Sequence, residues 1–170
     1  MNNKVKRLTF SAMIAAIYFI CCFFSQEFAY GVIQCRFSEG LNILCLFFPE
    51  AIIGITIGCL IFNITTGILW DVIFGTLATL VSCIITYLIG RVFKNDIIRI
   101  VLGGLPPVIL NAFIIPLVLI LGYKISDAYF YLVITIGIGE LIAVYVVGSI
   151  LYYPLKVFFT KNRIINIDNE

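Results

Sequence analysis

The sequence predicts an all-α integral membrane protein, a bundle of six transmembrane helices. Apolar and aromatic residues make up 62% of the 170 residues and charged residues only 12%, about half the charged share of an average soluble domain. So few charged side chains do not cover the surface of a soluble domain of this size. The apolar residues also occur in runs of about 20, the length of a helix that crosses about 30 Å of hydrocarbon.

These apolar runs place the spans along the chain. The predicted spans are 8–24, 32–48, 50–64, 70–90, 98–122 and 128–159, all in a single membrane domain over residues 1–170. The stretch that contains the second and third spans is too long for one helix, and Pro49 interrupts it. Because proline removes a backbone donor and ends or kinks a helix, this stretch is either one kinked span, giving five in all, or two shorter spans, giving six.

The distribution of Lys and Arg favours six spans. Cytoplasmic loops of membrane proteins collect basic residues. With six spans and the N-terminus inside, nine of the 11 basic residues lie on the inner side, and only Arg36 and Lys124 lie outside. With five spans, one basic cluster always falls on the wrong side. The sequence therefore predicts a multi-pass protein of the cell membrane with both termini in the cytoplasm.

The second predicted span is short and polar. Its polar residues are Gln34, Arg36, Ser38, Glu39 and Asn42. Such a segment must face other helices or a water-filled cavity rather than lipid. Steps of three and four residues place Arg36 and Glu39 on one face, with Ile43 following more loosely. The two charges form either part of a ligand site or an ion pair at the outer helix end, where charged side chains reach water at little cost.

Other polar residues lie inside or at the ends of the remaining spans. Glu140 is near the middle of the sixth span, where it is either a protonated or internally paired carboxylate or, as is usual for a buried acid at that depth, part of a ligand site or a transport pathway. Asn111 follows Pro106–Pro107, where the prolines free backbone carbonyls that need partners. Asp71 opens the fourth span as either a ligand-binding residue or an N-cap. For Asn63, near the outer end of the third span, a structural role is favoured.

A bundle that turned these side chains toward one outward-opening cavity would bind a polar, planar ligand between aromatic walls. The predicted substrate-binding residues are Arg36, Glu39, Asp71, Asn111 and Glu140, and the further candidates are Gln34, Asn63 and Trp70. Carboxylate and carboxamide groups suit the edge of a purine-like ring, because the carboxylate accepts from ring N–H and amino groups and the amide does both. A carboxylate equally suits a cationic amine.

Small residues form two helix-packing patterns. Ala12 and Ala16 are four residues apart in the first span, a spacing that forms a shallow groove for close approach of another helix in lipid. That helix belongs either to a partner protein or to this chain's own bundle. Gly54 and Gly58 repeat the spacing in the third span, where packing within the chain is favoured.

The composition excludes several functional classes. The chain has no His, which removes His-ligated metals, an imidazole base and a Ser-His-Asp triad. It contains no GxxxxGK[ST] phosphate-binding loop, so the energy for any transport must come from partners or gradients. A net charge of +2 with scattered basic residues argues against nucleic-acid binding. We therefore expect a binding or transport protein that is not an enzyme and binds no metal or cofactor itself.

Five segments of the chain resemble the QueT family. They are QCRFSE at 34–39, GCLIFN at 58–63, DVIFGTLATL at 71–80, LPPVILNA at 105–112 and GIGEL at 137–141. The resemblance runs in order from about Leu8 to Phe159, and the block that begins at Asp71 is the most specific. Members of this family are substrate-binding S-components of energy-coupling-factor (ECF) transporters that import queuosine precursors.

The resemblance implies a fold, a ligand and partners. The fold is the six-helix bundle of an S-component, which captures a 7-deazaguanine from outside, either queuine or its aminomethyl or cyano precursor. Delivery then requires a transmembrane coupling subunit and two ATPases, which hydrolyse the ATP. Ala12 and Ala16 match the Ala-x-x-x-Ala motif by which S-components contact the coupling subunit, and the loop 25–35 corresponds to an outer lid.

Two alternatives remain open at the level of sequence. S-components bind different vitamins on one scaffold, so the ligand is either a queuosine precursor or another vitamin-like molecule. In the second alternative, the chain is a secondary carrier that works without partner proteins and is coupled to protons through Glu140. Inverted repeats would favour such a carrier, and the spans differ in length and share no recurring motif.

Overall fold

The structure is a computed structural model that describes residues 3–29 and 36–161. Within these ranges the chain is all-helical and contains no strand. Its helices are α1 (Asn3–Ala29), α2 (Pro49–Thr66), α3 (Thr76–Val92), α4 (Asp96–Gly122), α5 (Tyr129–Ile142) and α6 (Gly148–Lys161). A 3-10 helix, Phe37–Leu46, precedes α2. Two π-helical turns, Asp71–Gly75 and Ala143–Val147, lead into α3 and α6.

Five apolar helical segments are long enough to cross a membrane. They are Lys4–Ser25, Pro49–Thr66, Asp71–Val92, Asp96–Gly122 and Tyr129–Phe158. The prediction of an all-α, multi-pass membrane protein is therefore confirmed. The last of these segments is a single continuous rod, because the π-turn joins α5 to α6 without a break.

The second predicted span, 32–48, differs from the expected helix. Its described part is a 3-10 helix of 10 residues, which at about 2.0 Å per residue extends only about 20 Å. That is shorter than the hydrocarbon layer of about 30 Å. The described part agrees with the predicted short, polar second helix, but it is of 3-10 type and is not among the helices that are long enough to cross a membrane. Pro49 does not kink a longer helix, because it is the first residue of α2.

Contacts between helix ends show which ends lie together. Arg7 of α1 forms an ion pair with Glu50 in the first turn of α2. Lys156 Nζ of α6 lies 2.6 Å from Asp96 Oδ2 at the start of α4. We call the end of the bundle with these two ion pairs the basic end.

The end of the 3-10 helix connects these two ion pairs. Arg99, in the first turn of α4, donates from Nη2 to the carbonyl of Leu46 at 2.6 Å. Its guanidinium also lies 5.1 Å from the ring centroid of Phe47, which in turn packs against Tyr152 of α6. The 3-10 helix therefore ends at the basic end, where α2 begins. It follows that the start of α1 and the end of α6 lie at the same end of the bundle.

Glycine contacts join α1 to α2. A Cβ atom added at Gly54 would lie 2.7 Å from the carbonyl oxygen of Ser11, and one added at Gly58 would lie 2.7 Å from that of Ala15. Only glycine allows the two backbones to come this close. The expectation that Gly54 and Gly58 pack within the chain is confirmed.

Helix α4 continues through three prolines, Pro106, Pro107 and Pro116. Pro107 has no N–H with which to bond the carbonyl of Gly103, four residues earlier. The hydroxyl of Thr86 on α3 donates to that carbonyl at 2.8 Å. A carbonyl freed by proline therefore finds its partner inside the bundle, as expected for a membrane helix.

Candidate functional site

Five buried or half-buried polar residues from four elements form what we call the polar cluster. They are Arg36 at the start of the 3-10 helix, Glu39 on it, Asp71 in the first π-turn, Asn111 in α4 and Glu140 in α5. The two glutamates are each 1% exposed, and Asp71 and Asn111 are each 2% exposed. All five were predicted to bind substrate from the sequence.

Contacts among these residues show that they meet. The carboxamide of Asn111 lies beside the carboxylates of both Glu39 and Glu140. The guanidinium of Arg36 interacts electrostatically with the same two carboxylates and with Asp71. The chain thus brings together residues that are up to 104 positions apart, from Arg36 to Glu140.

Several polar atoms of the cluster have unused hydrogen-bonding capacity. Glu39 Oε2, Asp71 Oδ1, Asn111 Nδ2 and Glu140 Oε2 are buried and form no hydrogen bond with the described residues. Buried polar atoms in proteins nearly always have a partner. Three acceptor oxygens and one amide donor of the cluster therefore lack the partner that burial normally requires.

Glu39 has its other oxygen occupied. The hydroxyl of Tyr18 on α1 donates to Glu39 Oε1 at 2.5 Å. Within the described residues, Glu39 forms no ion pair at or below 4 Å with Arg36. The alternative of an interfacial Arg36–Glu39 pair at the outer helix end is therefore wrong, because Glu39 is buried in the bundle and bonded to Tyr18.

The 3-10 geometry sets the register of the cluster. With three residues per turn, side chains at i and i+3 lie in one row, so Glu39 and Asn42 share a face. Asn42 Nδ2 donates to Ser82 Oγ of α3 at 3.0 Å. Arg36 precedes this helix with an extended backbone, so helical spacing does not place it beside Glu39, and the predicted extension of their face to Ile43 is wrong, since Ile43 packs in the apolar core.

Asp71 is held from two sides. The hydroxyl of Tyr123, beyond the end of α4, donates to Asp71 Oδ2 at 3.2 Å. Asn63 Nδ2 donates to the backbone oxygen of Asp71 at 3.0 Å and to Thr76 Oγ1 at 3.2 Å. Asn63 therefore fixes the π-turn, in agreement with the structural role favoured for it. Among the described residues the Asp71 carboxylate accepts from Tyr123, so the N-cap alternative does not hold.

Of the two remaining candidates, the structure describes only Trp70. Trp70 is 43% exposed and stacks on Phe74 with 5.5 Å between ring centroids. It forms one wall of a small apolar pocket of about 130 Å³ against α4. Gln34, together with residues 30–35 of the predicted lid, lies outside the residues that the structure describes.

An apolar groove runs along α1 and α2. Ala12 and Ala16 are exposed and form its floor, while Ile53, Ile57 and Ile61 form the wall on α2. The volume of the groove is about 480 Å³. Ala12 and Ala16 are exposed in this groove, so they do not pack into the interior of this bundle.

Comparison with known proteins places the chain in a family. The family described as QueT transporter matches residues 8–157, most of the chain. The chain belongs to the QueT transporter family.

This QueT-family chain also has a curated relative. It is 40% identical over 97 residues to the queuosine precursor transporter QueT of Lactococcus lactis subsp. cremoris (strain MG1363), covering 56% of this chain and 57% of the relative. The match thus spans a little more than half the length of the relative. Both the family and the relative are described as transporters, in agreement with the expectation that the chain is not an enzyme. No solved structure matches the chain.

Some features of this QueT-family site were not predictable from the sequence. Tyr18 and Tyr123 bond the cluster acids but lie in apolar or loop sequence with no local signal for that role. Both π-turns adjoin the cluster, one beginning at Asp71 and one beginning three residues after Glu140. π-Turns are frequent at functional sites, and no sequence pattern predicts them.

Proposed function

We propose that this chain is the substrate-binding S-component of an ECF importer, with the polar cluster binding a 7-deazaguanine precursor of queuosine. One observation carries the proposal: Glu39, Asn111 and Glu140, from three separate elements, meet in the bundle with a polar atom each left unbonded. The membership in a transporter family and the name of the curated relative support the choice of ligand.

The basic end of the bundle faces the cytoplasm in this proposal. Arg91 lies in the last turn of α3 and Lys94 just after it, at the end where α4 begins, close to the ion pair of Asp96 with Lys156. Inner loops of membrane proteins collect such residues. The opposite end, where Tyr123 bonds Asp71, then faces outward, so the ligand enters from outside. Residues 25–35 serve as the outer lid.

The charges of the cluster favour a cationic ligand. Three carboxylates, those of Glu39, Asp71 and Glu140, surround one guanidinium, that of Arg36. The free carboxylate oxygens accept from the ring N–H and amino groups of a 7-deazaguanine, and Asn111 Nδ2 donates to its carbonyl. Because the acidic groups of the cluster outnumber its one cation, an ammonium arm on the ligand adds an ion pair and favours their charged form in a site of low dielectric. We therefore propose that the aminomethyl precursor binds more tightly than the cyano precursor.

Energy for transport comes from partners in this proposal. A transmembrane coupling subunit docks on the groove of Ala12 and Ala16, since an apolar groove floored by small residues admits a helix in lipid. Two ATPases hydrolyse ATP beneath it, and this chain binds no cofactor of its own.

The ligand is tested on the purified wild-type protein. We expect mass spectrometry of protein extracted in detergent to detect a co-bound 7-deazaguanine, and calorimetric titration to give a lower Kd for the aminomethyl than for the cyano compound. Equal affinities would contradict the charge argument. Binding of a vitamin in place of both compounds would support the alternative of an S-component for another small molecule.

The partners are tested by reconstitution. We expect the chain to copurify with a coupling subunit and two ATPases, and uptake of the ligand into proteoliposomes to require all four proteins and ATP. Uptake by this chain alone, driven by a proton gradient, would instead favour a secondary carrier that uses Glu140.

A further inference from the structure

Tyr18 is the side chain of α1 that contacts the polar cluster directly. It is 1% exposed, and its hydroxyl donates to Glu39 Oε1 at 2.5 Å. Its base is equally constrained, because a Cβ atom added at Gly58 of α2 would lie 3.0 Å from the Cβ of Tyr18. The ring is therefore held by α2 while its hydroxyl holds Glu39.

Both oxygens of a buried carboxylate lose their hydrogen bonds to water, which is costly unless protein groups replace them. Those replacement hydrogen bonds also restrict the orientation of the side chain. In Glu39 one oxygen is bonded and the other, Oε2, is buried without a partner among the described residues. A carboxylate anchored at one oxygen has fewer accessible orientations, so the direction of its second oxygen is restricted. The anchor thus limits where Glu39 accepts a hydrogen bond from a solute.

We propose that Tyr18 is a positioning residue of the ligand site, which acts by holding Glu39 Oε1 and presenting Oε2 to an N–H donor of the ligand. This role rests on the proposed function, since it assigns a part in ligand binding to the polar cluster. Tyr18 itself does not touch the ligand. It leaves Glu39 with one free acceptor oxygen beside Asn111, which favours ligands that carry an N–H donor at that point.

The chain offers a matched control for this role. Tyr152 is also fully buried, at 0% exposed, and its hydroxyl donates to a carboxylate, Asp96 Oδ1, at 2.7 Å. It does so at the basic end, away from the polar cluster. Tyr18→Phe and Tyr152→Phe therefore remove the same atom from the same kind of bond and keep both rings.

The test measures the Kd of 7-aminomethyl-7-deazaguanine and the melting temperature of each variant in detergent. We expect Tyr18→Phe to weaken binding roughly tenfold or more, the usual effect of losing a hydrogen bond to a charged group. Tyr152→Phe should leave the Kd unchanged even if it melts earlier. Equal Kd values for Tyr18→Phe and the wild type would overturn the proposal.

A double-mutant cycle separates positioning from general support of the fold. In a Glu39→Gln background we expect Tyr18→Phe to have little further effect on Kd, because the bond that it removes serves Glu39. Additive losses would overturn the proposal. The double variant lacks the buried charge, so it keeps the test available if Tyr18→Phe alone does not fold. If the wild type binds no 7-deazaguanine, it is the proposed function that fails. If only the role of Tyr18 is wrong, the wild type still binds the ligand.

Discussion

Two acids of the polar cluster share a hydrogen-bonding pattern. The hydroxyl of Tyr18 occupies one oxygen of Glu39, and that of Tyr123 occupies one oxygen of Asp71, while the second oxygen of each acid is unbonded among the described residues. A buried charge with half of its capacity unused is costly to stability. Such an arrangement is typical of a site selected for binding rather than for the stability of the fold.

The contribution of a single residue to ligand binding is tested most directly at Glu140. Glu140→Gln keeps the shape of the side chain but replaces a charged acceptor with a neutral group. We expect ligand affinity to fall by about 2–3 kcal/mol, roughly 30- to 150-fold, as for the loss of a charge-assisted hydrogen bond. Calorimetry on the purified protein measures it. The melting temperature should not fall, because a buried charge is removed.

Glu50→Gln is the matched control for this substitution. Glu50 carries the same group at the basic end, where it pairs with Arg7. Its replacement should leave the Kd unchanged. If Glu140→Gln binds as tightly as the wild type, Glu140 does not belong to the ligand site.

At the level of elements, the 3-10 helix carries the cluster and is fitted closely against its neighbours. Arg99 holds its final carbonyl at the basic end. Nearer its start, a Cβ atom added at Gly40 would lie 2.6 Å from the Cβ of Val147 and 3.0 Å from the carbonyl oxygen of Ala143, both in the second π-turn. The π-turn that follows Glu140 therefore also positions the helix that holds Glu39.

Gly40→Ala tests this fit. Adding a methyl group to a closely packed interior typically costs about 1–3 kcal/mol. We expect a lower melting temperature, and also weaker ligand binding because the helix that carries Glu39 must move. Thermal denaturation and calorimetry measure the two effects.

Gly137→Ala is the control for Gly40→Ala. Both substitutions replace a helical glycine, but the nearest atom to a Cβ at Gly137 is the Cβ of Ala112 at 3.6 Å, an ordinary contact. Its melting temperature should match or exceed that of the wild type. Equal melting temperatures for the two variants would show that the 3-10 helix is not constrained at Gly40.

At the scale of the whole molecule, the sequence predicted the features that depend on hydrophobicity. It did not predict which segments form a 3-10 helix or a π-helical turn. Apolar length located the five long helices to within a few residues, and the cost of polar groups in lipid identified Glu39, Asn111 and Glu140. The 3-10 helix and the π-turns depend on packing between distant segments, such as Gly40 against the second π-turn. Tyr18 was not predictable because only the approach of α1 to the 3-10 helix brings its hydroxyl to Glu39.

At the scale of the whole molecule, the proposal assigns different roles to the buried polar cluster and to the apolar groove of α1 and α2. Ala12→Trp fills that groove of about 480 Å³ with an indole at an exposed position of α1. We expect ligand affinity to stay at the wild-type value, measured by calorimetry, and uptake into proteoliposomes with the partner proteins to be lost. Ile134→Trp, at a side chain of α5 that is 61% exposed, should keep both activities. Uptake by Ala12→Trp would show that the partner docks elsewhere, and loss of its ligand binding would show that this face supports the bundle itself.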